Sequence, residues 1–395
     1  MSPQESYAAV VVGGGPAGAT AACDLARGGA AVLLLDRAGR IKPCGGAIPP
    51  RLIRDFAIPE RLLVARARAA RMVSPAGRAV EMPIEGGFVG MVDREVFDEF
   101  LRARAAEAGA VRRTGTFRRL DRDADGTAVV HYDDAEGIAR AVRARAVVGA
   151  DGALSQVARQ CVPGAGRVRH VFAYHEIIRS PDAGDAGFEA DRCDVWYQGR
   201  ISPDFYGWVF PHGATTSVGS GSAHKGFALR RSVATLRAAA ALQDQPTLRC
   251  EGAPIPLKPL RRWDNGRDVV LAGDAAGVVA PASGEGIYYA MLGGRLAAEA
   301  VAGFLATGDA RALSGARRRF MRAHGRVFWV LGMMQWFWYA SDRRREKFVA
   351  LCRDPDIQRL TWESYMNKEL VRAEPAAHVR VFFKDLAQLL GLRPA

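Results

Sequence analysis

The fold of this chain is decided by Gly13-Gly14-Gly15-Pro16-Ala17-Gly18, which directly follows the apolar run Tyr7 to Val12. The apolar run predicts a buried strand, and the glycine segment fits the pattern G-x-G-x-x-G. Glycines at these spacings allow a tight turn, let backbone amides approach a pyrophosphate, and let the following helix pack closely on the strand. We predict a helix over residues 16–27 whose positive dipole end faces phosphate groups.

A carboxylate follows the next predicted strand. This strand covers residues 31–35 and ends at Asp36, with Arg37 beside it. In dinucleotide-binding folds a carboxylate at this point accepts hydrogen bonds from the adenosine ribose hydroxyls. Asp36 and Arg37 are therefore candidate cofactor-binding residues, together with Gly13, Gly15, Pro16, Ala17 and Gly18.

Two later glycine segments have the same relation to a strand. Gly149-Ala150-Asp151-Gly152 ends the apolar run 144–148, and Gly273-Asp274-Ala275-Ala276-Gly277 ends residues 268–272. Open α/β sheets hold their ligands at the carboxyl ends of their strands, so all three segments are expected to contribute to one site. Asp151 and Asp274 are candidate contacts, with Asp274 placed to bind the ribityl hydroxyls of a flavin.

The choice between FAD and NAD depends on the residues after Asp274. The stretch 281–287 opens a long predicted helix that runs to about residue 304. Amides at that helix start, near Gly284, Gly286 and Ile287, can stabilise the negative charge that a reduced flavin carries at its pyrimidine edge. The chain has no second G-x-G-x-x-G loop. We therefore expect the first loop to hold FAD and NADPH to dock transiently as hydride donor.

Composition limits the remaining function classes. The formal charge is +13, from 55 basic and 42 acidic side chains, and only six of the basic residues are lysine. This excess suits an anionic membrane surface or phosphate-bearing cofactors, and no nucleic-acid motif is present, so no nucleic-acid partner is predicted. The six cysteines form no C-x-x-C pair and have no metal-ligand spacing with the seven histidines, so no metal site is predicted. The first strand begins too early for a signal peptide, which indicates a reducing, cytoplasmic location.

The sequence predicts an α/β protein with a Rossmann-type FAD-binding domain, an antiparallel-sheet substrate domain and a C-terminal helical region. A hairpin is expected from strands 127–132 and 138–144, and residues 87–92 are assigned to the substrate sheet. Five further strands are expected in the substrate domain, over residues 171–178, 193–197, 206–210, 216–219 and 248–255. The predicted domains are 1–70, 94–165 and 262–307 for FAD, 71–93 and 166–261 for the substrate sheet, and 308–395 for the helices.

The chain resembles the flavoproteins of the para-hydroxybenzoate hydroxylase fold and, within them, the geranylgeranyl reductases, most closely those of bacteriochlorophyll and chlorophyll synthesis. The Pro-Cys-Gly-Gly and Tyr-x-Trp-x-Phe-Pro segments separate the prenyl reductases from the aromatic hydroxylases. The segments that carry the resemblance are Gly13 to Gly18, Lys42-Pro43-Cys44-Gly45-Gly46, Asp93-Arg94 with Phe97 to Leu101, Gly149 to Gly152, Tyr206-Gly207-Trp208-Val209-Phe210-Pro211, and Gly273 to Gly286.

The resemblance implies roles for residues outside the glycine loops. Cys44 is the first candidate for a proton donor, in a loop where Cys44 and Gly45 would lie against the flavin, or it is a small buried cysteine packed on the ring. Tyr206 is a reserve proton donor. By resemblance Arg94 contacts FAD, against the alternative of a solvated surface arginine. The candidate substrate residues are Gly46, Tyr206, Trp208 and Phe210, of which the aromatic ones could equally be core residues.

The stretch Phe328 to Ala340 is apolar around the whole helix circumference. It is too short to span a bilayer, which needs about 20 residues. Arginines flank it on both sides, including Arg326 and Arg343, and its tryptophans suit a membrane interface. The competing interpretation is a buried helix that lines a tunnel for an apolar substrate. The two are compatible.

Three functions remain open. The first is NADPH-driven, FAD-dependent reduction of isolated double bonds in a geranylgeranyl chain, on bacteriochlorophyll or on the free diphosphate, giving the phytyl form. The resemblance implies photosynthetic pigment synthesis as the pathway, with the membrane surface and other chlorophyll-synthesis enzymes as partners. The second is a flavin monooxygenase with a lipophilic substrate. The third is a flavin-bearing prenyl or pigment carrier without enzymatic activity.

Overall fold

A computed structural model of the chain describes residues 5–37, 41–182 and 187–368. The chain divides into two compact units. The first unit comprises residues 1–42, 94–170 and 254–328, and the second comprises 43–93, 171–253 and 329–395. The domains predicted from the sequence differ from this division at residues 43–70, which belong to the second unit, and in the C-terminal helices, which the division separates after residue 328.

The described residues contain strands in both units. In chain order they are β1 (Ser6–Val12), β2 (Val32–Asp36), β3 (Ala47–Ile48), β4 (Leu63–Ala67), β5 (Ala69–Val73), β6 (Ala79–Pro83), β7 (Val89–Val92), β8 (Val111–Arg122), β9 (Ala128–Asp134), β10 (Ala139–Gly149), β11 (His170–Arg179), β12 (Arg192–Trp196), β13 (Gly207–His212), β14 (Thr215–Ser222), β15 (Thr247–Pro256) and β16 (Val269–Leu271).

The α-helices of the same residues are α1 (Pro16–Arg27), α2 (Pro50–Asp55), α3 (Arg94–Glu107), α4 (Gln156–Cys161), α5 (Leu229–Ala239), α6 (Ile287–Thr307), α7 (Gly315–Trp338), α8 (Asp342–Leu351) and α9 (Pro355–Asn367). The predicted helix over 16–27 is confirmed, and the helix expected after residue 287 runs to Thr307. The helical character expected after residue 308 is confirmed over the residues that the structure describes.

The first unit is built on a six-stranded sheet. Five of its strands run parallel, in the order β8, β2, β1, β10 and β16. The residues of β1, β2 and β16 are almost completely buried, because helices cover the sheet. The C-terminal part of β8, residues 115–122, and the N-terminal part of β10, residues 139–144, both pair antiparallel with β9. The predicted hairpin of β9 and β10 is confirmed. The sequence analysis did not assign β8.

The second unit contains a seven-stranded sheet in the order β15-β11-β14-β13-β12-β5-β6. The five predicted strands are confirmed, but β12 and β5 pair in parallel, so the sheet is not wholly antiparallel. The assignment of residues 87–92 to this sheet was wrong, because β7 pairs with β3 and β4 in a separate three-stranded sheet. Apolar residues on one face of the seven-stranded sheet, including Val209 and Val218, pack with Val233 and Leu236 of α5.

Candidate functional site

The carboxyl ends of four parallel strands meet at one edge of the first unit's sheet. The amide of Ala150 donates to the carbonyl of Val12 at 2.8 Å, and the amide of Gly13 donates to Leu35 at the same distance. The amide of Ala272 donates to the carbonyl of Gly149 at 2.9 Å. These bonds bring the three glycine segments and the end of β2 together, although they lie far apart in the sequence.

The first glycine loop leaves room for a ligand at one position only. A Cβ atom on Gly18 would lie 1.8 Å from the carbonyl oxygen of Gly13, so a side chain there would separate α1 from β1. A Cβ atom on Gly15 would meet no protein atom within 4 Å. Gly15 directly precedes α1, which begins with Pro16. Pro16 has no N–H, and the amides of Ala17 and Gly18 in the first turn have no partner within the helix. The open space beside these amides fits a pyrophosphate.

Asp36 lies beside the glycine loop at the end of β2. A Cβ atom on Gly14 would lie 2.8 Å from its carboxylate oxygen Oδ2. The guanidinium of Arg102 lies 3.5 Å from the same oxygen and donates to the carbonyl of Gly14 at 3.3 Å. Arg102 therefore orients the carboxylate that the sequence assigned to the ribose. Arg37, the next residue, has an exposed side chain.

Asp274 is a buried carboxylate near the start of α6. It forms an ion pair with Lys42, whose side chain is partly exposed. A Cβ atom on Gly286, the residue before α6, would lie 3.8 Å from Asp274 Oδ1. Gly273 lies against Ala17 of α1, and Gly284 and the buried Ile287 flank the helix start. This arrangement places one carboxylate, one cation and a helix N-terminus together; the sequence analysis named the carboxylate and the helix start.

Two predicted cofactor residues already have protein partners. Asp151 accepts hydrogen bonds from the amides of Gln156 and Val157 at 2.7 and 3.2 Å and so caps the start of α4. Burial raises the pKa of Asp151. Arg94 is buried and forms a two-bond ion pair with Asp98, at 2.9 and 2.7 Å. Arg94 is therefore not a solvated surface arginine.

In the second unit, the loop of Cys44 lies against the end of β13. The thiol of Cys44 is half-buried and accepts from the amide of Gly46 at 3.4 Å. A Cβ atom on Gly45 would lie 3.0 Å from the ring of Phe210. Gly46 has a φ of +69°, and a Cβ atom there would lie 2.4 Å from Nε2 of His212. Burial lowers the pKa of His212, so this imidazole favours its neutral form.

The aromatic residues of the Tyr-x-Trp-x-Phe-Pro segment form a continuous row. The ring centroids of Phe210 and Trp208 lie 6.4 Å apart, and those of Trp208 and Tyr206 lie 6.1 Å apart. The row continues from Tyr206 to Tyr197 at 6.1 Å and to Tyr339 at 5.3 Å. Tyr206, Trp208 and Phe210 alternate with Val209, so they lie on the face of the sheet that α5 does not cover. Apart from the tyrosine hydroxyls and the indole N–H of Trp208, the rings of this row are apolar.

Comparison with known proteins identifies the family. Residues 6–172 match the family described as an FAD binding domain. The geranylgeranyl diphosphate reductase of Rhodobacter capsulatus is 59% identical over 388 residues, which is 98% of each chain. The chain belongs to the geranylgeranyl reductase family. The chloroplastic geranylgeranyl diphosphate reductase of Oryza sativa is 38% identical. The match covers 96% of this chain and 85% of the rice protein.

A solved structure shares the fold of this chain. It is a geranylgeranyl bacteriochlorophyll reductase-like protein from Thermoplasma acidophilum, with a TM-score of 0.81 and 22% sequence identity. The match covers 95% of this chain and all of that one. The expected fold class, a Rossmann-type FAD-binding domain with a further sheet and C-terminal helices, is confirmed.

Three polar residues near the candidate site residues were not selected from the sequence. Arg102 contacts Asp36, Lys42 pairs with Asp274, and His212 lies against Gly46. Lys42 is the first residue of the segment that contains Cys44, and His212 directly follows Pro211, so position in or beside a motif segment was a usable signal for both. Arg102 lies on α3, far in sequence from Asp36, and no local pattern marks it.

Proposed function

We propose that this protein reduces isolated double bonds of a geranylgeranyl chain, with FAD as the bound cofactor and NADPH as the hydride source. The observation that carries the proposal is 59% identity, over almost the whole of both chains, to a geranylgeranyl diphosphate reductase. The FAD binding domain match over residues 6–172 and the open space at Gly15 agree with a flavin-dependent reaction. The substrate is a long hydrocarbon, carried on bacteriochlorophyll or on a free diphosphate.

The residues of the first unit would hold the cofactor. The amides at the start of α1 would bind the pyrophosphate, Asp36 the adenosine ribose, and Asp274 the ribityl hydroxyls. The start of α6 would stabilise negative charge on the reduced ring system. Bound FAD, once reduced, supplies the hydride, and NADPH restores its two electrons.

The protein must supply a proton as well, because an isolated double bond has no carbonyl to accept the negative charge of a hydride. One carbon receives the hydride and the other receives a proton, so the carbon–carbon π bond breaks and two C–H bonds form. We propose Cys44 as the proton donor, with its thiol regenerated from solvent, and Tyr206 as the alternative donor. The half-buried thiol of Cys44 suits this role because it is accessible yet held by the amide of Gly46.

We propose that Phe210, Trp208 and Tyr206 form a wall of the hydrocarbon-binding cavity. Neighbouring ring centroids in this row lie 6.4 and 6.1 Å apart, so the three side chains present a continuous aromatic surface. A dry apolar wall protects a carbon with cationic character from capture by water. Gly46 would complete the wall at the end near Phe210 without adding a side chain.

Turnover under nitrogen tests the proposed function. Purified protein with FAD, NADPH and geranylgeranyl-bacteriochlorophyll, or geranylgeranyl diphosphate in parallel, is expected to form products heavier by two hydrogens per reduced bond, detected by mass spectrometry. A monooxygenase would need oxygen and would add an oxygen atom instead. A flavin-bearing carrier would bind the substrate and leave NADPH unconsumed. Either of these results would reject the reductase.

We also propose that the protein is cytoplasmic and binds the surface of the photosynthetic membrane through α7, where it could meet other enzymes of chlorophyll synthesis. No described helix is long and apolar enough to cross a bilayer. On α7, however, the side chains of Trp329, Met333 and Trp336 are 64%, 46% and 76% exposed. Their spacing of four and three residues places them on one helix face.

Charge near this face favours a lipid surface as its occupant. Arg326 and Arg322 are exposed about one and two turns before Trp329 on the same helix, and Arg343 is exposed just after the helix. Basic residues beside anionic lipid contribute about 1 kcal/mol each. Trp338, one of the tryptophans that the sequence analysis assigned to the interface, is instead buried, as is Tyr339, which packs on Tyr197. The apolar stretch thus has one exposed face and one packed face.

Replacing Trp329 and Trp336 with Ser is expected to release the protein from vesicles of phosphatidylglycerol and phosphatidylcholine, because the exposed indoles anchor it at the interface. Vesicle flotation measures binding, and wild-type binding should weaken as salt is raised. Phe172→Ser is the matched control, since Phe172 is 53% exposed on β11 and its loss should not affect flotation. If the wild type stays unbound at low salt, the α7 face serves a different partner.

A further inference from the structure

A hydrogen-bonded chain that links side chains of the second unit starts at the indole N–H of Trp208. The indole Nε1 of Trp208 lies 3.0 Å from Ser217 Oγ, which lies 2.9 Å from Nδ1 of His175. The other ring nitrogen of His175 lies 3.0 Å from Oε2 of Glu251, and Arg249 holds Oε1 of that carboxylate at 2.7 Å. Ser217 and His175 are both buried. Neither residue was selected from the sequence.

The direction of each hydrogen bond follows from the groups involved. An indole N–H can only donate, so Ser217 Oγ accepts from Trp208. The imidazole nitrogen that faces the Glu251 carboxylate carries the ring proton, because a carboxylate accepts hydrogen bonds. The opposite nitrogen of His175 is then free to accept, and the single hydroxyl proton of Ser217 is donated to it. The Trp208 N–H, the Ser217 hydroxyl and the His175 ring N–H therefore all donate in one consistent direction.

The strand register explains why the indole lies where it does. Trp208 and His175 are both paired with Gly219, on opposite sides of β14. A Cβ atom on Gly219 would lie 2.1 Å from Cζ2 of Trp208 and 2.6 Å from Cβ of His175. The indole thus lies flat across Gly219, and its N–H is held at the edge by Ser217. Any side chain at Gly219 would push the ring away from the sheet.

The serine, histidine and glutamate do not form a nucleophilic triad. Ser217 is completely buried, and its oxygen already accepts the Trp208 N–H. A nucleophilic serine must reach a substrate carbonyl, and this one cannot. The chain instead ends on an aromatic ring of the proposed hydrocarbon wall.

We propose that Ser217 and His175 are positioning residues that lock Trp208 flat on the sheet, and that the locked indole sets how far along the prenyl chain reduction proceeds. The inference rests on the proposed function, because it takes Trp208 as part of the substrate wall. An indole that leaves Gly219 moves into the space above the sheet and shortens the cavity. A shorter cavity changes which double bonds of a flexible chain can be placed for reduction, and leaves hydride delivery itself unchanged.

Ser217→Ala removes the central link of the chain. The ratio of fully to partly reduced tails, measured by mass spectrometry, is expected to fall about fivefold, which corresponds to the loss of a hydrogen bond of about 1 kcal/mol. Trp208→Phe should change the ratio as well, and adding Ser217→Ala to that variant should have no further effect, because the N–H is already absent. Equal and additive effects of the two changes would overturn the proposal.

Two controls separate positioning from simple loss of stability. Ser220→Ala is the matched change, since Ser220 is also buried on β14 but donates to the carbonyl of Ile201 at 2.6 Å, on the face towards α5. It should lower stability similarly and leave the product ratio unchanged. His175→Asn keeps an acceptor near Ser217 and should retain the wild-type ratio, whereas His175→Leu, of similar size, should reproduce Ser217→Ala. A shift with Ser220→Ala equal to that with Ser217→Ala rejects the proposal.

A second readout does not depend on turnover. The indole N–H of Trp208 should exchange slowly with deuterium in the wild type and much faster in Ser217→Ala, as followed by NMR with the signal assigned through Trp208→Phe. Unchanged exchange would overturn the positioning role even if tails are not reduced. A wild type that exchanges slowly but reduces no prenyl chain would reject the proposed function alone.

Discussion

A Gly15→Ala variant is expected to fold normally and to purify without its flavin. The backbone of Gly15 has φ −71° and ψ −176°, a conformation open to alanine, and a Cβ atom there meets no protein atom within 4 Å. The methyl group would instead occupy the space that we assign to the pyrophosphate. Losing one charge-assisted hydrogen bond costs about 1.5–3 kcal/mol, or roughly 10- to 150-fold in FAD affinity.

Absorbance at the flavin band, relative to protein, measures this loss, and circular dichroism reports the fold. Gly303→Ala is the matched control, because its Cβ atom would meet only Ala312, at an ordinary 3.6 Å. That variant should stay yellow. Gly18→Ala should behave differently from both, since its Cβ atom would collide with the carbonyl of Gly13 and destabilise the fold itself. A Gly15→Ala protein with wild-type FAD affinity would refute the assignment of the pyrophosphate site.

Cys44→Ser is expected to lose tail reduction by about 100-fold or more, the usual contribution of a positioned general acid. A serine hydroxyl is nearly the size of a thiol but far less acidic, so the loop and the bound FAD should persist. Flavin reduction by NADPH, followed by bleaching of the flavin band without substrate, should keep its normal rate. The defect would then lie only in the step that needs a proton.

Cys250→Ser provides the control for this variant, because Cys250 is exposed on β15 and should be silent in both assays. Normal product formation by Cys44→Ser would assign the thiol to packing. In that case Tyr206→Phe becomes the decisive variant. Loss of flavin from Cys44→Ser would mean that the thiol supports the loop rather than the chemistry.

The sequence predicted those parts of the fold in which local pattern and burial agree. β1, β2 and β16 are short apolar runs bounded by glycine or aspartate, so their ends and the residues after them could be placed directly. β8 was missed because its buried and exposed positions do not alternate cleanly and five of its twelve residues are arginine. β5 and β6 were also missed; β5 pairs with β12, which lies more than 100 residues later, and β6 is anchored to the sheet through β5.

The candidate site divides in the same way. Residues that work through their backbone, such as Gly15 and Gly286, could be recognised from motif spacing alone. Residues that work through long-range side-chain contacts could not, because Arg102 reaches Asp36 across the fold and His175 reaches Trp208 through Ser217. The exposed face of α7 shows a third limit on what can be predicted from the sequence. The hydrophobicity of the stretch was visible in the sequence, but only packing decides that Trp336 is exposed and Trp338 is buried.

The edge at which β1, β10 and β16 meet has a consequence for biosynthesis. Its three strands come from the beginning, the middle and the last third of the chain, and β16 pairs with β10 through residues 147–149. The ribosome therefore completes the matched FAD binding domain segment, residues 6–172, long before β16 and Asp274 exist. Contacts of such high sequence separation form late and slowly. The emerging chain must remain soluble with an open sheet edge at β10, and the cofactor can be captured fully only after synthesis has passed α6.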